Sequence, residues 1–351
     1  MSAGRNILVT GGCGFIGANF IRAALRSLTV TRLVNLDALT YAGRPENLPA
    51  EIVSDPRYVF ARGDINDAPL TLSLLRAHAI DTVIHLAAES HVDRAIDNPA
   101  PFVRTNVAGT VALLESALAH WRSQSAAARK NFRFAHISTD EVYGALTADG
   151  QPFSESSPYA PANPYAASKA AADHFAWSFH KTHGLPLMVS HCGNNYGPRQ
   201  LPEKLIPRMI GDALAGRPLT VYGDGANMRD WIYVDDYAAG LLALLAGGRN
   251  GGRYHFGGGR ELSNLQVTRE ICALLDELSP SAEGDRQRLI RFVADRPGHD
   301  FRYAMNTTKA RTELGWVPRV DFAAGLRLTV AWYLRHPERL HAADRYQRQT
   351  R

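Results

Sequence analysis

The sequence is poor in cysteine, and this scarcity excludes two kinds of site. Cys13, Cys192 and Cys272 are the 3 cysteines among 351 residues, and long stretches of chain separate them. An odd number of widely spaced cysteines predicts neither a disulfide framework nor a cysteine metal site. We therefore expect reduced thiols, no bound metal and a cytoplasmic location.

The sequence also lacks a long apolar run, a low-complexity segment and an internal repeat. A membrane-spanning helix needs ~20 consecutive apolar residues, and no stretch reaches that length. The first residues run into a β-branched strand pattern without the charged and apolar regions of a secretory signal. We therefore expect a soluble intracellular protein without a membrane partner.

Charge of one sign does not dominate. Lys and Arg number 39 against 34 Asp and Glu, which gives a net charge of +5. The basic residues are scattered and do not alternate with aromatic residues, as they would on a nucleic-acid-binding face. The charge therefore indicates no nucleic-acid partner, whereas a groove for a small phosphorylated anion would also carry positive charge.

What the sequence does contain is an alternation of short strands with helices. Runs of apolar and β-branched residues fall at residues 6–10, 32–37, 58–60, 82–86, 132–138 and 187–190. Such runs are typical of strands that are buried on both faces of a parallel sheet. Helical periodicity falls near residues 15–28, 67–78, 100–121 and 164–183. This alternation predicts an α/β fold built on a Rossmann-like, doubly wound parallel sheet.

Beyond about residue 191 this alternation loosens, and Pro and Gly become more frequent. Short strands are expected near 219–222 and 230–234. A helix near 236–246 and a strand at 254–256 could return to the first sheet. The predicted domains are a cofactor-binding Rossmann domain at 1–190, rejoined by about 236–257, a smaller α/β substrate-binding lobe at 191–235 and 258–340, and a polar tail at 341–351.

A glycine-rich turn joins the first strand to the first helix. Gly11, Gly14 and Gly17 permit, in order, a tight turn, a close approach of the backbone to a pyrophosphate and close helix packing. Free N–H groups at the helix N-terminus then face the phosphates. Asp37, at the end of the second strand, can accept hydrogen bonds from ribose hydroxyls and would repel a 2′-phosphate. The combination predicts dinucleotide binding and favours NAD over NADP.

Further candidate contacts follow the third and fourth strands. Asp64 could accept a hydrogen bond from an adenine amino group, and Ile65 could pack on the adenine ring. The small residues at 86–90 leave room for a nicotinamide ribose, although Ala87 and Ala88 suit helix–sheet packing equally well. Ligands of open α/β sheets bind at the carboxyl ends of strands, which is where these residues fall.

Tyr165 and Lys169 lie four residues apart, on one face of the helix predicted near 164–183. A free tyrosine has a pKa near about 10. A fixed lysine cation, helped by a positively charged nicotinamide, would favour the phenolate and let Tyr165 act as a base at neutral pH. Such pairs also occur on plain surface helices, and the dinucleotide signature upstream favours the functional interpretation. Asn163 and Pro164 are expected to begin the helix.

Asp140 and Glu141 follow the fifth strand directly. Adjacent carboxylates at the mouth of a cofactor cleft repel each other and are costly to desolvate. Their surroundings can push their pKa values apart, so that one acts as an acid and the other as a base. A solvated loop pair is the alternative. Thr139 could donate a hydrogen bond to a substrate oxygen beside Tyr165.

These residues belong to a series of motifs that extends along nearly the whole chain. The motifs lie at residues 10–17, 37–43, 85–94, 138–144, 165–169, 194–198, 203–207, 229–231 and 295–300. Together they resemble the dTDP-glucose 4,6-dehydratases, a family of extended short-chain dehydrogenases/reductases. The Thr139-Asp140-Glu141 triplet is the most specific element, because related epimerases carry small hydroxyl residues there and other relatives lack the Asp.

The resemblance implies a lyase that works through a hidden redox cycle. Tyr165 would remove the proton of the glucose C4 hydroxyl while NAD⁺ takes the C4 hydride. Glu141 would remove the C5 proton, and protonated Asp140 would donate to the departing C6 hydroxyl. Return of the hydride to C6 would give a 4-keto-6-deoxy sugar, for example for rhamnose synthesis, and would regenerate tightly bound NAD. The predicted catalytic residues are Thr139, Asp140, Glu141, Tyr165 and Lys169.

The predicted ligand contacts form two sets. The cofactor-binding residues are Gly11, Gly14, Phe15, Ile16, Gly17, Asp37, Leu39, Thr40, Asp64, Ile65, Leu86, Ala87, Ala88, Ser90, Thr105, Tyr165, Lys169 and Asn195. The substrate-binding residues implied by the resemblance are Ser90, Thr139, Asn194, Lys204, Leu205, Thr220, Tyr222, Arg229, Asn264, Asp295, Arg296 and His299. Arg and Lys suit phosphate oxygens on chemical grounds alone.

Three alternatives remain open at the level of sequence. Thr220, Gly259-Arg260 and Phe301 depart from the family pattern at the nucleotide end, so a dehydratase for UDP-glucose is one of them. A nucleotide-sugar epimerase is the second, and a non-catalytic NAD-binding regulatory protein is the third, from a different class. The resemblance also implies a homodimer formed through the helices near 100–121 and 164–183, although the alanine-rich face of the second helix suits intramolecular packing equally well.

Overall fold

The computed structural model describes residues 4–26, 30–295 and 298–340, so Arg296 and the predicted polar tail lie outside the described residues. The strands are β1 Arg5–Thr10, β2 Val30–Asp37, β3 Tyr58–Arg62, β4 Thr82–His85, β5 Arg133–Thr139, β6 Leu187–Cys192, β7 Asn194–Tyr196, β8 Leu219–Tyr222, β9 Met228–Tyr233, β10 Arg253–Phe256, β11 Glu261–Ser263 and β12 Ile290–Val293.

Helices lie close to the positions predicted near residues 15–28, 67–78, 164–183 and 236–246, and further helices lie where none was predicted. The helices are α1 Phe15–Arg26, α2 Ala50–Val53, α3 Ala68–Ala77, α4 Val92–Asp97, α5 Ala100–Phe102, α6 Thr110–Ser123, α7 Ala126–Asn131, α8 Pro164–His183, α9 Leu205–Leu214, α10 Val234–Gly247, α11 Asn264–Leu278, α12 Thr308–Leu314 and α13 Phe322–Arg335. Short 3₁₀ turns cover Pro45–Asn47, Asp140–Tyr143, Arg286–Leu289 and Pro337–Arg339. Among the described residues, no helix combines the length and the hydropathy that a membrane span requires.

Seven strands form one sheet in the order β3-β2-β1-β4-β5-β6-β10, and every neighbouring pair is parallel. The chain builds from β1 to β3 in one direction and from β4 onward in the other, so the sheet is doubly wound with its switch point between β1 and β4. The predicted Rossmann-like α/β fold class is confirmed. β10 lies beside β6, where the segment at 254–256 was expected to return, while the domain boundaries stay a prediction.

The side chains of β1 show why both faces of this sheet are covered. Ile7 and Val9 point into the core that α1 and α10 cover, whereas Leu8 points into the core on the opposite face. This division follows from the two-residue period of a strand. All three side chains are buried, and burial of each contributes roughly 1.5–3 kcal/mol. A continuous apolar run is therefore what a central strand of this kind requires.

The helix predicted near residues 100–121 is interrupted by a π-helical segment, Val103–Gly109, between α5 and α6. Asn106 lies in this segment and is buried. Its Nδ2 donates to the carbonyl oxygen of Glu89 at 3.0 Å and to Ser168 Oγ at 2.8 Å, and its Oδ1 accepts from the backbone N–H of Glu89 at 2.9 Å. Hydrophobic periodicity does not distinguish a π turn from an α turn, and such turns often lie at functional sites. This one fixes the chain that follows β4.

The smaller lobe has its own sheets and its own core. β9 pairs antiparallel with β11 and parallel with β7, and β8 pairs parallel with β12. Aromatic residues such as Tyr196 and Trp231 pack there with the apolar faces of α9, α11 and α13. Residues of this lobe and residues at the carboxyl edge of the seven-stranded sheet line one groove, so the lobe faces that edge across the groove.

Candidate active site

A groove runs along the carboxyl edge of the seven-stranded sheet and continues into the smaller lobe. The first part lies beside Asp37 and Asp64, the central part beside Tyr165 and Lys169, and the far part beside Tyr222 and Arg229. Gly11 and Leu86 line both the first and the central part. Glu141, Asn194 and Lys204 line both the central and the far part. The groove is therefore continuous. Parallel strands end at one edge, which brings residues far apart in sequence to the same side of the sheet.

The turn after β1 brings the backbone close to the groove. Gly11 has φ of 70°, and a Cβ there would lie 2.7 Å from the backbone of Ala87. A Cβ at Gly17 would lie 2.3 Å from the carbonyl oxygen of Gly11. By contrast, a Cβ at Gly14 would meet only that same oxygen, at 3.2 Å. The three glycines therefore differ, because two allow close packing within the protein and Gly14 leaves space on the groove side.

The carboxylate at the end of β2 is oriented by two backbone donors. Asp37 Oδ2 accepts from Cys13 N and Oδ1 accepts from Leu39 N, each at 2.8 Å. Burial raises the pKa of Asp37, and the two backbone hydrogen bonds oppose this shift. Leu39 has φ of 53°, which turns its N–H back towards Asp37. Its side chain packs against the core instead of lining the groove, so the structure gives Leu39 a backbone role where we expected a ligand contact.

The other predicted cofactor residues come together along the first and central parts of the groove. Those lining it are Gly11, Gly14, Phe15, Ile16, Gly17, Asp37, Thr40, Asp64, Ile65, Leu86, Ala87, Ala88, Ser90, Thr105, Tyr165, Lys169 and Asn195. They lie at the carboxyl ends of β1 to β4, in the segment Val103–Gly109, in α8 and in β7. Among the described residues, no three His, Cys, Asp or Glu side chains converge to hold a metal ion.

α8 carries the tyrosine and the lysine to the central part of the groove. Asn163 begins the helix, since its side chain accepts from Ala166 N at 2.9 Å, and Pro164 occupies the first position. Lys169 Nζ donates to the carbonyl oxygen of Ile137 in β5 at 2.6 Å. This contact ties the lysine to the sheet, one helical turn beyond Tyr165.

The phenol of Tyr165 is in surroundings that oppose its ionisation. Burial raises the pKa of Tyr165 well above its ordinary value, the charge of Glu141 raises it further, and a hydrogen bond with Thr139 lowers it. A phenolate at neutral pH therefore depends on positive charge placed beside the ring, in agreement with the expectation that Lys169 does not act alone.

The two adjacent carboxyl groups have different surroundings. Asp140 is 2% exposed; one of its oxygens accepts from Thr139 Oγ1 at 3.2 Å, and Oδ2 has no hydrogen-bond partner among the described residues. Burial and then the charge of Glu141 raise the pKa of Asp140 well above its ordinary value, against the charge of Arg229. Glu141 Oε2 accepts from Asn163 Nδ2 at 3.2 Å. Asp140 therefore keeps its proton to a higher pH than an ordinary carboxyl group, as an acid requires.

Two cations lie where the groove enters the smaller lobe. Lys204 Nζ donates to the carbonyl oxygen of Ser90 at 2.8 Å. Arg229 is buried; its guanidinium donates to the carbonyl oxygens of Met228 (2.7 Å) and Asp300 (3.0 Å) and lies 4.5 Å from the centre of the Tyr303 ring. These contacts hold both cations at the groove wall, which suits the binding of phosphate oxygens.

The predicted nucleotide end is partly as expected. Tyr222 and His299 line the far part of the groove, and their rings meet edge to face with centres 6.2 Å apart. Asp295 does not line the groove; its Oδ1 lies 2.6 Å from His299 Nδ1, so it orients the histidine. The other members of the predicted substrate set line the central or far part, and they are Ser90, Thr139, Asn194, Lys204, Leu205, Thr220, Arg229 and Asn264. Arg296 lies outside the described residues.

The chain is similar to known proteins along nearly its whole length. The family model described as GDP-mannose 4,6 dehydratase matches residues 8–329. The dTDP-glucose 4,6-dehydratase of Neisseria gonorrhoeae is 52% identical over 333 residues, which are 94% of this chain and 96% of that protein. The dTDP-glucose 4,6-dehydratase 1 of Escherichia coli K12 is 47% identical over 336 residues, 93% of this chain and 92% of that protein. The chain belongs to the dTDP-glucose 4,6-dehydratase family.

Solved structures of the family and of its neighbours share the whole fold. The dTDP-glucose 4,6-dehydratase DesIV of Streptomyces venezuelae, crystallised with NAD and TYD, is 45% identical with a TM-score of 0.86 and covers 95% of this chain and 98% of its own. The UDP-glucose 4-epimerase of Thermus thermophilus, crystallised with NAD, is 28% identical with a TM-score of 0.81, over 94% of this chain and 99% of its own. Dehydratases and epimerases thus share this fold, and the site residues must distinguish them.

Sequence reasoning missed several residues that line the far part of the groove. Glu203 and Trp231 belong to motifs that the family resemblance already used, so that signal could have identified them. Arg208 lies one helical turn after Lys204 and donates to Thr220 Oγ1 at 3.4 Å. Tyr303 has no local signal, because it reaches the groove through isolated bridges that tie Arg302 to residues 146 and 228.

Proposed function

We propose that this chain converts dTDP-glucose to dTDP-4-keto-6-deoxyglucose and water, with NAD as a cofactor that each turnover regenerates. One observation carries the proposal. The buried acid Asp140 and its neighbour Glu141 lie beside Tyr165 and Lys169, in the same groove as the glycine turn. The activity named for the Neisseria and Escherichia relatives supports it. An epimerase has no need of a buried acid at position 140.

The residues of the first part of the groove fit NAD. Gly14 leaves open space beside the N-terminus of α1, where a pyrophosphate would be held by backbone N–H groups. Asp37 presents a carboxylate already oriented by two backbone donors, which suits ribose hydroxyls and disfavours a 2′-phosphate. When bound, NAD supplies the chemistry of hydride transfer, taking a hydride from C4 of the sugar and returning one to C6.

Tyr165 is the base of the first step. Its phenol oxygen would take the proton of the C4 hydroxyl, and Thr139, hydrogen-bonded to it, would orient both oxygens. The Lys169 ammonium, tied to the Ile137 carbonyl oxygen, stabilises the phenolate electrostatically. The oxidised C4 carbonyl then acidifies the proton at C5, which prepares the elimination.

Glu141 and Asp140 divide the elimination between them. Glu141, held by Asn163, would remove the C5 proton, and Asp140 would donate its proton to the C6 hydroxyl as the C6–O bond breaks and water leaves. The raised pKa of Asp140 keeps it protonated for this step. Glu141 would return its proton to C5 when C6 is reduced. The balance is one water lost and no net change of oxidation state.

The far part of the groove would hold the nucleotide diphosphate. Lys204 and Arg229 would contact the phosphate oxygens, and the side chains of Asn194 and Asn264 would donate hydrogen bonds to them. The Tyr222 ring, with His299 edge-on to it, would lie against the base. Selection of thymidine over uridine is part of the proposal and is tested with it.

Two further properties belong to the proposal. All three cysteines are free and buried, which suits a reducing compartment such as the cytoplasm. Val103 and Phe175 are exposed by 56% and 43% on the paired helices expected to form a homodimer. Burial of these side chains between two copies would remove apolar surface from water. A Phe175→Asp variant should therefore shift the mass measured by light scattering from dimer to monomer.

Product analysis with dTDP-glucose deuterated at C4 tests the activity, with UDP- and GDP-glucose as parallel substrates. We expect a dehydrated product that carries deuterium at C6, formed fastest from dTDP-glucose. Recovery of galactose-configured sugar without loss of water would identify an epimerase. NAD-loaded protein that converts none of the three substrates would identify a non-catalytic binding protein.

A further inference from the structure

Asp173 is a buried carboxylate that neither the groove nor the proposed reaction uses. It lies in α8, one helical turn beyond Lys169, and its side chain is 1% exposed. Four side chains surround its two oxygens. The hydrogen-bonded pairs are His136 Nε2 to Oδ1 (2.9 Å), His191 Nε2 to Oδ2 (3.0 Å), Ser138 Oγ to Oδ2 (2.8 Å) and Tyr159 OH to Oδ2 (2.8 Å).

This set of donors keeps the carboxylate charged inside the protein. Burial acts to raise the pKa of Asp173, but the hydrogen bonds from His136 and His191 outweigh it and leave the pKa well below the ordinary value. The four donors therefore favour the charged form of this buried carboxylate. A buried negative charge of this kind requires a positive charge nearby.

A buried cation, the ammonium of Lys169, lies one helical turn before Asp173, and both side chains are bound to the same stretch of β5: Lys169 to residue 137 and Asp173 to residues 136 and 138. The Lys169 side chain is buried, and its Nζ is hydrogen-bonded to the carbonyl oxygen of Ile137. Burial lowers the pKa of Lys169, and the charge of Asp173 is the largest influence that opposes this loss. Residues four apart on a helix are neighbours, so the two charges attract each other through a poorly polarisable interior.

We propose that Asp173 is a positioning residue that acts through charge: it holds the Lys169 ammonium in its charged form beside Tyr165. This inference rests on the proposed function only for its catalytic consequence. Tyr165 needs positive charge beside it to lose its proton, and a neutral lysine would not supply that charge. The coupling between Asp173 and Lys169 exists in the folded protein whatever the substrate.

The other titratable groups around this pair do not provide the negative charge. His85, His136 and His255 have pKa values lowered by burial, so they stay neutral near pH 7. Burial raises the pKa of the Cys192 thiol to about 12, so it is not a thiolate. The phenols of Tyr143 and Tyr159 have raised pKa values as well, and the Arg253 guanidinium lies 5.3 Å from the centre of the Tyr159 ring. Asp173 is thus the carboxylate that faces Lys169 in this cluster.

The dependence on pH of the rate of C4 oxidation tests the proposal in NAD-loaded enzyme with dTDP-glucose at saturation. Asp140 must also keep its proton for the elimination, so Asp140→Asn is present in every protein compared and C4 oxidation is followed as NADH absorbance. In this background the alkaline limb of the profile reports loss of the lysine proton. Asp173→Asn removes the charge and keeps the size, so we expect this limb to move to lower pH by about one unit or more, which is a change of about tenfold in the proton affinity of Lys169. An alkaline limb at the same pH as in the protein that keeps Asp173, with the rate of C4 oxidation lowered equally at all pH values, would overturn the proposal.

Tyr159→Phe is the matched control, because it removes one donor from the same cluster and leaves the charge of Asp173 in place. We expect it to lower the stability of the fold and to leave the alkaline limb where it is in the protein that carries Asp140→Asn alone. A shift of this limb in Tyr159→Phe equal to that in Asp173→Asn would mean that the cluster acts only through packing, and would also overturn the proposal.

If Asp173→Asn does not fold, the same coupling is measured from the other partner. Lys169→Met removes the cation, and coupling between two sites is reciprocal. Without the cation, the pKa of Asp173 must rise, so acid unfolding followed by circular dichroism should begin at higher pH than in the wild type. An unchanged acid transition would overturn the proposal. This measurement needs no substrate, so it separates failure of this inference from failure of the proposed function.

Discussion

Asp140 and Asp173 are both buried aspartates near the carboxyl end of β5, yet their proton affinities are shifted in opposite directions. Among the described residues, Asp140 has a single donor, Thr139 Oγ1, and an oxygen without a hydrogen-bond partner, and a like charge lies next to it in sequence. Asp173 has four donors, two of them histidines. Burial raises the pKa of a carboxyl group in both places, and the donors decide whether it stays raised.

The two carboxyl groups therefore suit two different tasks. A carboxyl group with few donors keeps a proton and can give it to a leaving group, as proposed for Asp140. A carboxylate with many donors keeps its charge and can balance a buried cation, as proposed for Asp173. The number of hydrogen-bond donors, and not the degree of burial, therefore decides whether such a carboxyl group serves as an acid or as a fixed negative charge.

The largest expected effect is on catalysis. Asp140→Asn removes the transferable proton, so we expect formation of the dehydrated product to fall by about 10²–10⁴-fold. Oxidation at C4 should survive, and NADH absorbance should accumulate in the enzyme. Glu141→Gln should give the same signature, since it blocks the same elimination. Asp149→Asn, in an exposed loop, is the matched control. Unaltered product formation in either site variant would refute the assigned roles.

The next effect is on stability and separates the two aspartates directly. Asp173→Ala removes the acceptor shared by four donors, of which Tyr159 OH and His191 Nε2 still have each other as partners at 2.8 Å, so we expect a cost of about 3 kcal/mol in the free energy of unfolding. Asp140→Asn leaves few groups unsatisfied and removes a repulsion with Glu141. Urea denaturation at pH 7, compared at equal m-value, measures both. Equal losses in the two variants would show that the donor sets do not distinguish the sites.

The pH dependence of stability should also have opposite signs at the two sites. Above the ordinary carboxyl pKa of 3.8, folded Asp140 binds more protons than the unfolded chain, so its contribution to stability falls as pH rises towards its raised pKa. Asp140→Asn should therefore gain unfolding free energy relative to the wild type as the pH rises from 4 to 7. Folded Asp173 contributes stability above pH 3.8 that is lost as pH falls towards its lowered pKa. If the free energies of unfolding of Asp140→Asn and wild type differed by the same amount at every pH in this range, the raised pKa of Asp140 would be contradicted.

The smallest effect concerns a single donor. Tyr159→Phe removes one hydrogen bond to the Asp173 carboxylate and leaves three, so we expect a loss of about 1–2 kcal/mol in unfolding free energy. Thermal unfolding with Tyr159→Phe and wild type side by side measures it. A loss as large as that of Asp173→Ala would mean that the ring packing of Tyr159, and not the number of donors, dominates this cluster.

Much of the site could be predicted from the sequence because its residues are tied to strand ends. Gly11, Asp37, Asp64, Thr139 and Tyr165 follow strands or begin helices in a fold whose strands all end at one edge. Residues that reach the site by other routes were harder to assign. Leu39 acts through its backbone N–H and Asp295 through His299, and neither function has a pattern in the sequence.

Hydrophobic periodicity and strand ends are local properties of the chain. For this reason the doubly wound sheet, the glycine turn and the order in which the cofactor and catalytic residues lie along the groove follow from the sequence alone. Only the tertiary structure decided the proton affinities. Asp140 and Asp173 are the same residue type. The donor to Asp140 is its neighbour in sequence, whereas the donors to Asp173 come from β5, β6 and the loop before α8, which no local pattern brings together. A pKa depends on the distances to donors and charges, and these distances exist only after the chain has folded.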